Sequence, residues 1–230
     1  MKKNTYNWLP DFVYGGIDGA VTTFAVVMGV VGADLSTAVI LILGFANLFA
    51  DGLSMAVGKY SSDKAELEQI KLIKKQERQA IIDTPDEEKK EVRDILREFG
   101  FSGKDLKSAE KIITSDPDTW VHMMLHHEFH IIEENIQPKK GAVVTFLAFV
   151  SIGLIPLLAY MVQPVFKFTD GESFTVTILA TLVALFIVGT VKTRFTERHW
   201  VLAGLETAGI GGLAALVAYV VGAGIHNLIA

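Results

Sequence analysis

Asp18 is the one ionised side chain in the apolar stretch from Tyr14 to Gly32. A charge near the middle of a membrane-spanning helix costs at least about 2.5 kcal/mol, so such residues usually face a polar cavity or a partner. Small or weakly polar residues share its helix face at spacings of three or four, namely Thr22, Ala25 and Gly29. This face suits close helix packing or the lining of a pore.

A second set of potential ligands follows in the next apolar stretch. Asn47, Asp51 and Met55 are spaced by four, so an amide, a carboxylate and a thioether lie on one helix face. Hard oxygen ligands with one soft sulfur suit Fe(II) or Mn(II) better than Ca²⁺ or Mg²⁺. The alternative is that Asp18 and Asp51 are protonated or paired structural groups and Met55 is a packing residue. We favour an ion pathway.

A third carboxylate, Glu206, begins the glycine- and alanine-rich segment near the C-terminus. Small residues at such density are typical of helix–helix interfaces in membranes. Glu206 then either binds a proton or an ion within the membrane, or extends its side chain to the cytosolic edge of the span.

The segment "HMMLHHEFHIIEE" is the densest group of potential ligands outside the apolar stretches. His122, His126 and His130 repeat every four residues, and Glu133 and Glu134 follow one turn later. Two imidazoles one helical turn apart can bind a transition metal. The alternative is a solvated or interfacial helix face.

The elements that must position these residues are membrane helices. Half of the 230 residues are hydrophobic, and a span needs about 20 apolar residues in a helix. The polar N-terminus leads directly into the first span, so no cleaved secretory signal is expected. Cysteine is absent, which excludes disulfides and thiolate sites. Five segments qualify as spans: Phe12 to Gly32, Thr37 to Gly58, Gly141 to Val162, Phe174 to Val191 and Trp200 to Ile229.

We therefore predict an all-α, multi-pass membrane protein with three regions. Residues 1–58 hold the N-terminal tail and two spans, residues 59–140 form a charged helical insert, and residues 141–230 hold three spans. The distribution of Lys and Arg in short connections predicts that the N-terminus, the insert and the 192–199 loop face the cytosol.

The insert is expected to be helical throughout. Residues 61–82 continue the second span, and Thr84 to Glu87 has the sequence of a capping box. Gly100 and Gly103 separate two short helices, and Asp116 caps a last helix that ends near Gln137. No phosphate loop, nucleophile motif or basic aromatic patch is present, so neither an enzyme nor a nucleic-acid partner is expected.

Four stretches together resemble the vacuolar iron transporter family, and the resemblance covers essentially the whole chain. They are "YGGIDGAVTTFAVVMGVVGA", "GFANLFADGLSMAVGKYSS", "GLIPLLAYM" and "TRFTERHWVLAGLETAGIGGLAALVAYVVG". The resemblance implies a homodimer in a lipid bilayer that moves Fe²⁺, and often Mn²⁺, out of the cytosol in exchange for protons. Its ion path runs along the dimer interface.

By motif, the ion ligands of the first two spans fall on Asp18 and Met55. Where plant members carry a glutamate in the second span, this chain has Asn47, and Asp51 follows one turn later. The resemblance therefore implies a carboxylate that is displaced by one helical turn.

The insert resembles the metal-binding domain of the family, in which glutamates and methionines bind several ions. The matching residues are Glu66, Glu77, Met124 and Glu128, whereas Gln69, Ala80 and Leu125 occupy positions of other family ligands. Glu66 and Glu77 lie about 16 Å apart along a helix and cannot hold one ion together. The alternative is that Glu66 and Glu77 form salt bridges at the protein surface. The nearby imidazoles that could compensate are His126, His127 and His130.

The expected function is export of Fe²⁺, with Mn²⁺ as a further cargo, in exchange for protons. No prosthetic group is expected, and Zn²⁺ is a further ion for the insert. The alternative is a membrane-tethered metal sensor or buffer that does not transport. The expected location is the cell membrane in a bacterium or the vacuolar membrane in a eukaryote.

Overall fold

The computed structural model describes residues 6–131, 135–195 and 197–229. These residues form nine α-helices and one short 3₁₀ helix, and no strand occurs among them. The prediction of an all-α chain is confirmed. Two compact units divide the structure: residues 6–62 with 137–230, and residues 63–136.

The first unit contains the long apolar helices. Leu9–Gly32 (α1), Thr37–Asp83 (α2), a segment that includes Asp170–Val191 (α8), and Trp200–Ile229 (α9) are each long and apolar enough to cross a membrane. Pro138–Gly153 (α6) and Ile155–Phe166 (α7) qualify together as a bent pair, and Lys192–Phe195 forms the 3₁₀ helix. Among the described residues, four helices are therefore long and apolar enough to cross a membrane, or five spans if the bent pair counts as one.

Helix α2 contributes residues to both units. Its 47 residues extend for about 70 Å, more than twice the hydrocarbon thickness of a bilayer. The part up to Gly58 is mostly apolar, with Asp51 as its one charged residue, and charged residues recur from Lys59 onward. The part of α2 that is apolar enough to cross a membrane is therefore its first half.

Helix α1 packs against α6 and α9 through glycines. A Cβ atom at Gly19 would overlap the carbonyl group of Phe149, and one at Gly32 would overlap that of Tyr219. Because small residues let helix backbones approach closely, α1 lies at the centre of the bundle. The apolar core beside it includes Val27, Leu48 and Phe149 from α1, α2 and α6.

The third predicted span is broken. The sequence predicts one helix over Gly141 to Val162, but α6 ends at Gly153 and α7 begins at Ile155, with a bend of 44°. Pro156 has no N–H to donate to the preceding turn. Gly153 lies against the backbone of Gly19 and the side chain of Leu48. The bend therefore lies two residues before a proline and at a close helix contact.

The second unit is helical around its own apolar core. It contains the end of α2, followed by Pro85–Glu98 (α3), Gly103–Thr114 (α4) and Pro117–His127 (α5). The core residues come from three of these helices, namely Val92, Leu96, Leu106, Trp120 and Met124.

One cap of the insert helices agrees with prediction and one does not. Asp116 caps α5 as expected, because its carboxylate accepts a hydrogen bond from the N–H of Thr119. The Thr84 capping box is wrong: α3 does begin at Pro85, but the Thr84 hydroxyl donates to the Ala80 carbonyl. A capping box forms instead at Thr169 and Glu172, at the start of α8.

The predicted extent of the last insert helix is also wrong. Helix α5 ends at His127, ten residues short of Gln137. His130 has a left-handed backbone with φ of 54°, and the Ile131 N–H donates to the Leu125 carbonyl at 2.8 Å. This fold-back satisfies a carbonyl of the last turn and ends the helix.

Candidate metal-binding sites

Asp18 of α1 and Asp51 of α2 lie near each other. Both side chains are partly buried, and they lie close enough for the two negative charges to repel each other. The Thr22 hydroxyl on the same face donates to the Asp18 main-chain carbonyl at 2.8 Å, so it does not neutralise the carboxylate. Among the described residues, no Lys or Arg pairs with Asp18 or Asp51. A cation between them would relieve the repulsion.

The residues one turn to either side of Asp51 are also partly buried. Asn47 has a buried amide nitrogen without a hydrogen-bond partner. Met55 packs against the apolar core of the first unit. The amide, the carboxylate and the thioether therefore follow one face of α2.

A further carboxylate of α1, Asp11, was missed by the sequence analysis. It is 8% exposed, its Oδ1 lies 3.1 Å from Lys59 Nζ, and its Oδ2 accepts a hydrogen bond from the Tyr6 hydroxyl at 2.5 Å. The available signal was its spacing of seven residues, or two turns, from Asp18. Because Asp11 already has a cation partner, it differs electrostatically from Asp18.

Glu206 lies in the second turn of α9. Its Oε2 is 3.3 Å from Nη1 of Arg198, and both side chains are largely exposed. This pairing favours the second of the two interpretations, a carboxylate that reaches the end of the span.

In the insert, four glutamates from three helical segments form an acidic cluster: Glu77, Glu88, Glu91 and Glu128. Burial raises the pKa of Glu77 to about 7, and the negative charges of Glu128, Glu88 and Glu91 add to the rise. Burial also raises the pKa values of Glu88 and Glu128, and Glu91 adds to both shifts. Desolvation and like-charge repulsion both disfavour the ionised carboxylates.

Two members of this cluster, Glu88 and Glu91, were not singled out from the sequence. They lie three residues apart on one face of α3. Glu88 precedes the core residue Val92 by one turn, and this i, i+4 relation was the available signal. The sequence-predicted pair Glu77 and Glu128 is thus joined by two carboxylates of a different helix.

The other predicted insert residues are distributed elsewhere. Glu66 is exposed, three turns before Glu77 on α2. Met124 is fully buried in the apolar core of the insert. An ion could therefore contact its thioether only if the core opened. Gln69 is exposed and Ala80 partly buried on α2.

The histidines do not join the acidic cluster. The ring centroids of His122 and His126 are 4.5 Å apart. His126 follows Met124 by two residues, and this spacing places the two side chains on opposite faces of α5. His127 contacts the ring of Phe99. The expected four-residue repeat fails at His130, which lies beyond the end of α5. Glu133 and Glu134 lie outside the described residues.

No preformed cage of three His, Asp or Glu side chains that could hold an ion is found in the described part of the chain. Like charges without a cation between them repel each other, which disfavours such a cage in the absence of an ion. The pair Asp18 and Asp51, and the acidic cluster of the insert, would each have to close around an ion as it binds.

Together, the long apolar helices and the nearby carboxylates of α1 and α2 define a multi-pass α-helical membrane protein with acidic groups on neighbouring spans. A sequence model of the VIT family matches residues 9–223, and the chain belongs to this family.

Three relatives are each named a vacuolar iron transporter. The chain is 35% identical over 232 residues to that of Toxoplasma gondii, with 96% of this chain and 76% of the relative covered. It is 32% identical over 225 residues to that of Plasmodium falciparum, with 95% and 82% covered. It is 31% identical over 212 residues to vacuolar iron transporter 1 of Arabidopsis thaliana, with 91% and 82% covered.

Proposed function

We propose that this protein carries Fe²⁺, with Mn²⁺ as a further cargo, across a membrane and out of the cytosol. The observation that carries the proposal is the pair Asp18 and Asp51, two carboxylates on adjacent spans that have no cation partner within the described part of the chain. Membrane carboxylates of this kind usually belong to an ion path or a proton relay. The names of the relatives agree with iron as the cargo.

The residues on α2 supply the rest of the path. Asp18 and Asp51 bind the ion through oxygen, Met55 offers a thioether, and Asn47 offers an amide oxygen. This donor set fits a borderline divalent ion. When the ion leaves, the two carboxylates repel each other, and a proton taken up by one of them relieves that repulsion. Exchange of the metal for protons follows from this alternation.

A homodimer completes the path in this proposal. Apolar side chains of the first half of α2 are largely exposed, with Phe49 at 53%, Leu53 at 60% and Val57 at 57%. Lipid or a second copy must cover these side chains, and a second copy would also enclose the partly buried carboxylates from the open side. The N-terminus and the insert face the cytosol, where the insert collects Fe²⁺, Mn²⁺ or Zn²⁺ for transport.

Proteoliposomes that contain a trapped metal-sensitive dye test the proposal. We expect Fe²⁺ under anaerobic conditions, and Mn²⁺, to quench the dye and to move protons in the opposite direction. Binding to the purified protein without flux would instead support a membrane-tethered metal sensor or buffer. The acidic cluster of the insert favours that second function as the alternative, because it can bind ions without any transport step.

A further inference from the structure

Three hydroxyl side chains follow one face of α8 inside the membrane unit. Ser173, Thr177 and Thr181 are each 0% exposed, and their spacing of four places them on the same helix face. We call these three residues the hydroxyl stripe. Among the described residues, the buried Ser173 hydroxyl has no hydrogen-bond partner. Because buried polar groups are normally hydrogen-bonded, the stripe requires a physical explanation.

Two hydrogen bonds define how α7 and α8 pair. The Thr177 hydroxyl donates to the Pro156 carbonyl at 3.2 Å, and Gln163 Nε2 donates to Asp170 Oδ1 at 2.6 Å. Seven residues separate the two contacts on each helix, and they run in opposite directions along the chain. The helices are therefore antiparallel, with residues at matching levels between these two contacts.

Helix α7 contributes a phenol to the stripe. Tyr160 comes four residues after the Pro156 contact, and Ser173 comes four residues before the Thr177 contact, so Tyr160 and Ser173 lie at the same level. Tyr160 is 2% exposed. Its hydroxyl is buried and, like that of Ser173, has no partner in the described part of the chain.

Helix α1 contributes a third hydroxyl of this kind, Thr23, which is 0% exposed and has no partner within the described residues. Gly16 of α1 faces α8, because a Cβ atom there would lie 3.8 Å from Val188 Cγ1. Later residues of α1 pack against the earlier part of α8, so these helices are also antiparallel. Thr23 lies two turns beyond Gly16, and Thr181 lies two turns before Val188. The two threonines therefore lie at the same level on facing sides.

Thr23 is adjacent to the residues around Asp18. Thr22 lies one turn after Asp18, and its hydroxyl donates to the Asp18 main-chain carbonyl at 2.8 Å. The neighbouring hydroxyls of Thr22 and Thr23 thus connect the side of α1 that carries Asp18 with the side that faces α8. Thr23 and Asp18 are five residues apart, about 7.5 Å along the helix axis. A few hydrogen-bonded waters can span that separation.

The opposite end of the stripe reaches the surface at Asp170. This residue is exposed and lies three residues before Ser173 on α8. No Lys or Arg pairs with Asp170 among the residues that the structure describes. The other ionisable side chains at this end of the membrane unit are those of Asp34, Lys167, Glu172 and His226.

We propose that the hydroxyl stripe, with Tyr160 and Thr23, holds a chain of buried waters that carries protons from the Asp170 end of the bundle to Asp18. The proposal rests on the proposed function and gives its protons a route separate from the ion ligands on α2. Buried waters satisfy otherwise unpaired polar groups in protein interiors. Each water or hydroxyl accepts one proton and releases another, so the net result is transfer of a proton from solution to the Asp18 carboxylate.

X-ray footprinting of the full chain in detergent tests for the waters, because hydroxyl radicals formed from water label the side chains that contact it. We expect Tyr160 to be labelled despite its burial. Phe149, which is 0% exposed in the apolar core of the same unit, is the dry control. Labelling of Tyr160 should be lost in Ser173→Ala/Thr181→Val and retained in Thr175→Val, which changes an exposed threonine of α8.

Transport measurements test whether the waters carry protons. Net Mn²⁺ uptake into proteoliposomes with an acidic interior requires proton transfer, whereas exchange of radioactive for unlabelled Mn²⁺ at equal pH does not. In Ser173→Ala/Thr181→Val we expect net uptake to fall at least about tenfold, since lost proton-transfer groups typically cost that much or more. The Mn²⁺ exchange should be retained, and Thr175→Val should retain both activities.

Three results would overturn the proposal. Tyr160 that is labelled no more than Phe149 would show a dry interior. Unchanged net uptake in Ser173→Ala/Thr181→Val would mean that protons take another route. Equal loss of net uptake and exchange would assign the two residues to the fold or to the ion path. A parent protein that moves no Mn²⁺ would instead refute the proposed function and the proton role with it, while the labelling of Tyr160 still shows whether the passage holds water.

Discussion

Lys59 Nζ lies 3.1 Å from Asp11 Oδ1, which links α2 at the end of its apolar half to the first turn of α1. Two turns further along α1, Asp18 meets another carboxylate, Asp51, instead of a cation. The same helix thus carries one neutralised and one unneutralised carboxylate. We expect the first to hold the helices together and the second to bind the ion.

Replacement of Asp18 by Asn should stop transport and leave the fold intact. The amide keeps the shape of the side chain but removes the negative charge and the titratable proton. Fe²⁺ flux into proteoliposomes should fall by orders of magnitude, with an unchanged elution volume and helical content. Asp34→Asn, in the connection between α1 and α2, is the control and should retain flux. Near-normal flux in Asp18→Asn would refute the assignment.

Met55→Leu separates the soft ligand from the hard ones. The two side chains have similar volumes, so stability should change by less than about 1.5 kcal/mol. If the thioether contacts the ion, the rate of Fe²⁺ transport should fall relative to that of Mn²⁺, because Mn²⁺ prefers oxygen ligands. Unchanged rates for both ions would make Met55 a packing residue only.

Lys59→Met should destabilise the membrane unit, because it leaves the buried Asp11 carboxylate without its cation. A cost of about 1–3 kcal/mol is typical for a buried polar group that loses its partner. The double variant Lys59→Met/Asp11→Asn should recover most of this loss. Unfolding midpoints in detergent measure the effect, and additive losses in the double variant would show that the two side chains do not interact.

The stability of the metal-free insert should fall as pH rises. The pKa of Glu77 is raised from 4.5 to about 7 by burial and by its acidic neighbours. The unfolded chain releases this proton at lower pH than the folded chain does. The stabilisation that protonated Glu77 contributes is therefore fully present below about pH 4.5 and is lost as pH rises through about 7.

Urea unfolding of the full chain, followed through Trp120 fluorescence in a Trp8→Phe/Trp200→Phe background, measures this dependence. Glu77→Gln should flatten the profile, whereas Glu98→Gln should not. A profile that is equally steep in Glu77→Gln would assign the titration to another group.

His126→Ala/His130→Ala should leave Mn²⁺ binding at the insert unchanged within about twofold, a difference of only about 0.4 kcal/mol. His126 lies on the face of α5 opposite Met124, and His130 lies beyond the helix end. Calorimetric titration of the full chain at pH 7.5 checks this. A loss similar to that of Glu77→Gln/Glu128→Gln would show that imidazoles replace the glutamates absent at Gln69 and Ala80.

The sequence by itself determines the helical membrane class and most helix positions. A span must be about 20 apolar residues long whatever surrounds it, so α1, the first half of α2, α8 and α9 are readable from local composition. The family motifs around Asp18 and Met55 are likewise local. So is the Asp116 cap, since its partner Thr119 is three residues away.

Tertiary structure decides which residues of different helices meet. Asp11 and Lys59, 48 positions apart, pair only because α1 and α2 pack side by side. Glu88 joins Glu77 and Glu128 only because α3 packs on the insert core. The break between α6 and α7 combines a local signal, Pro156, with the contact of Gly153 against α1. Helical periodicity defines which residues share a face, but the packing of one face on another depends on the whole core.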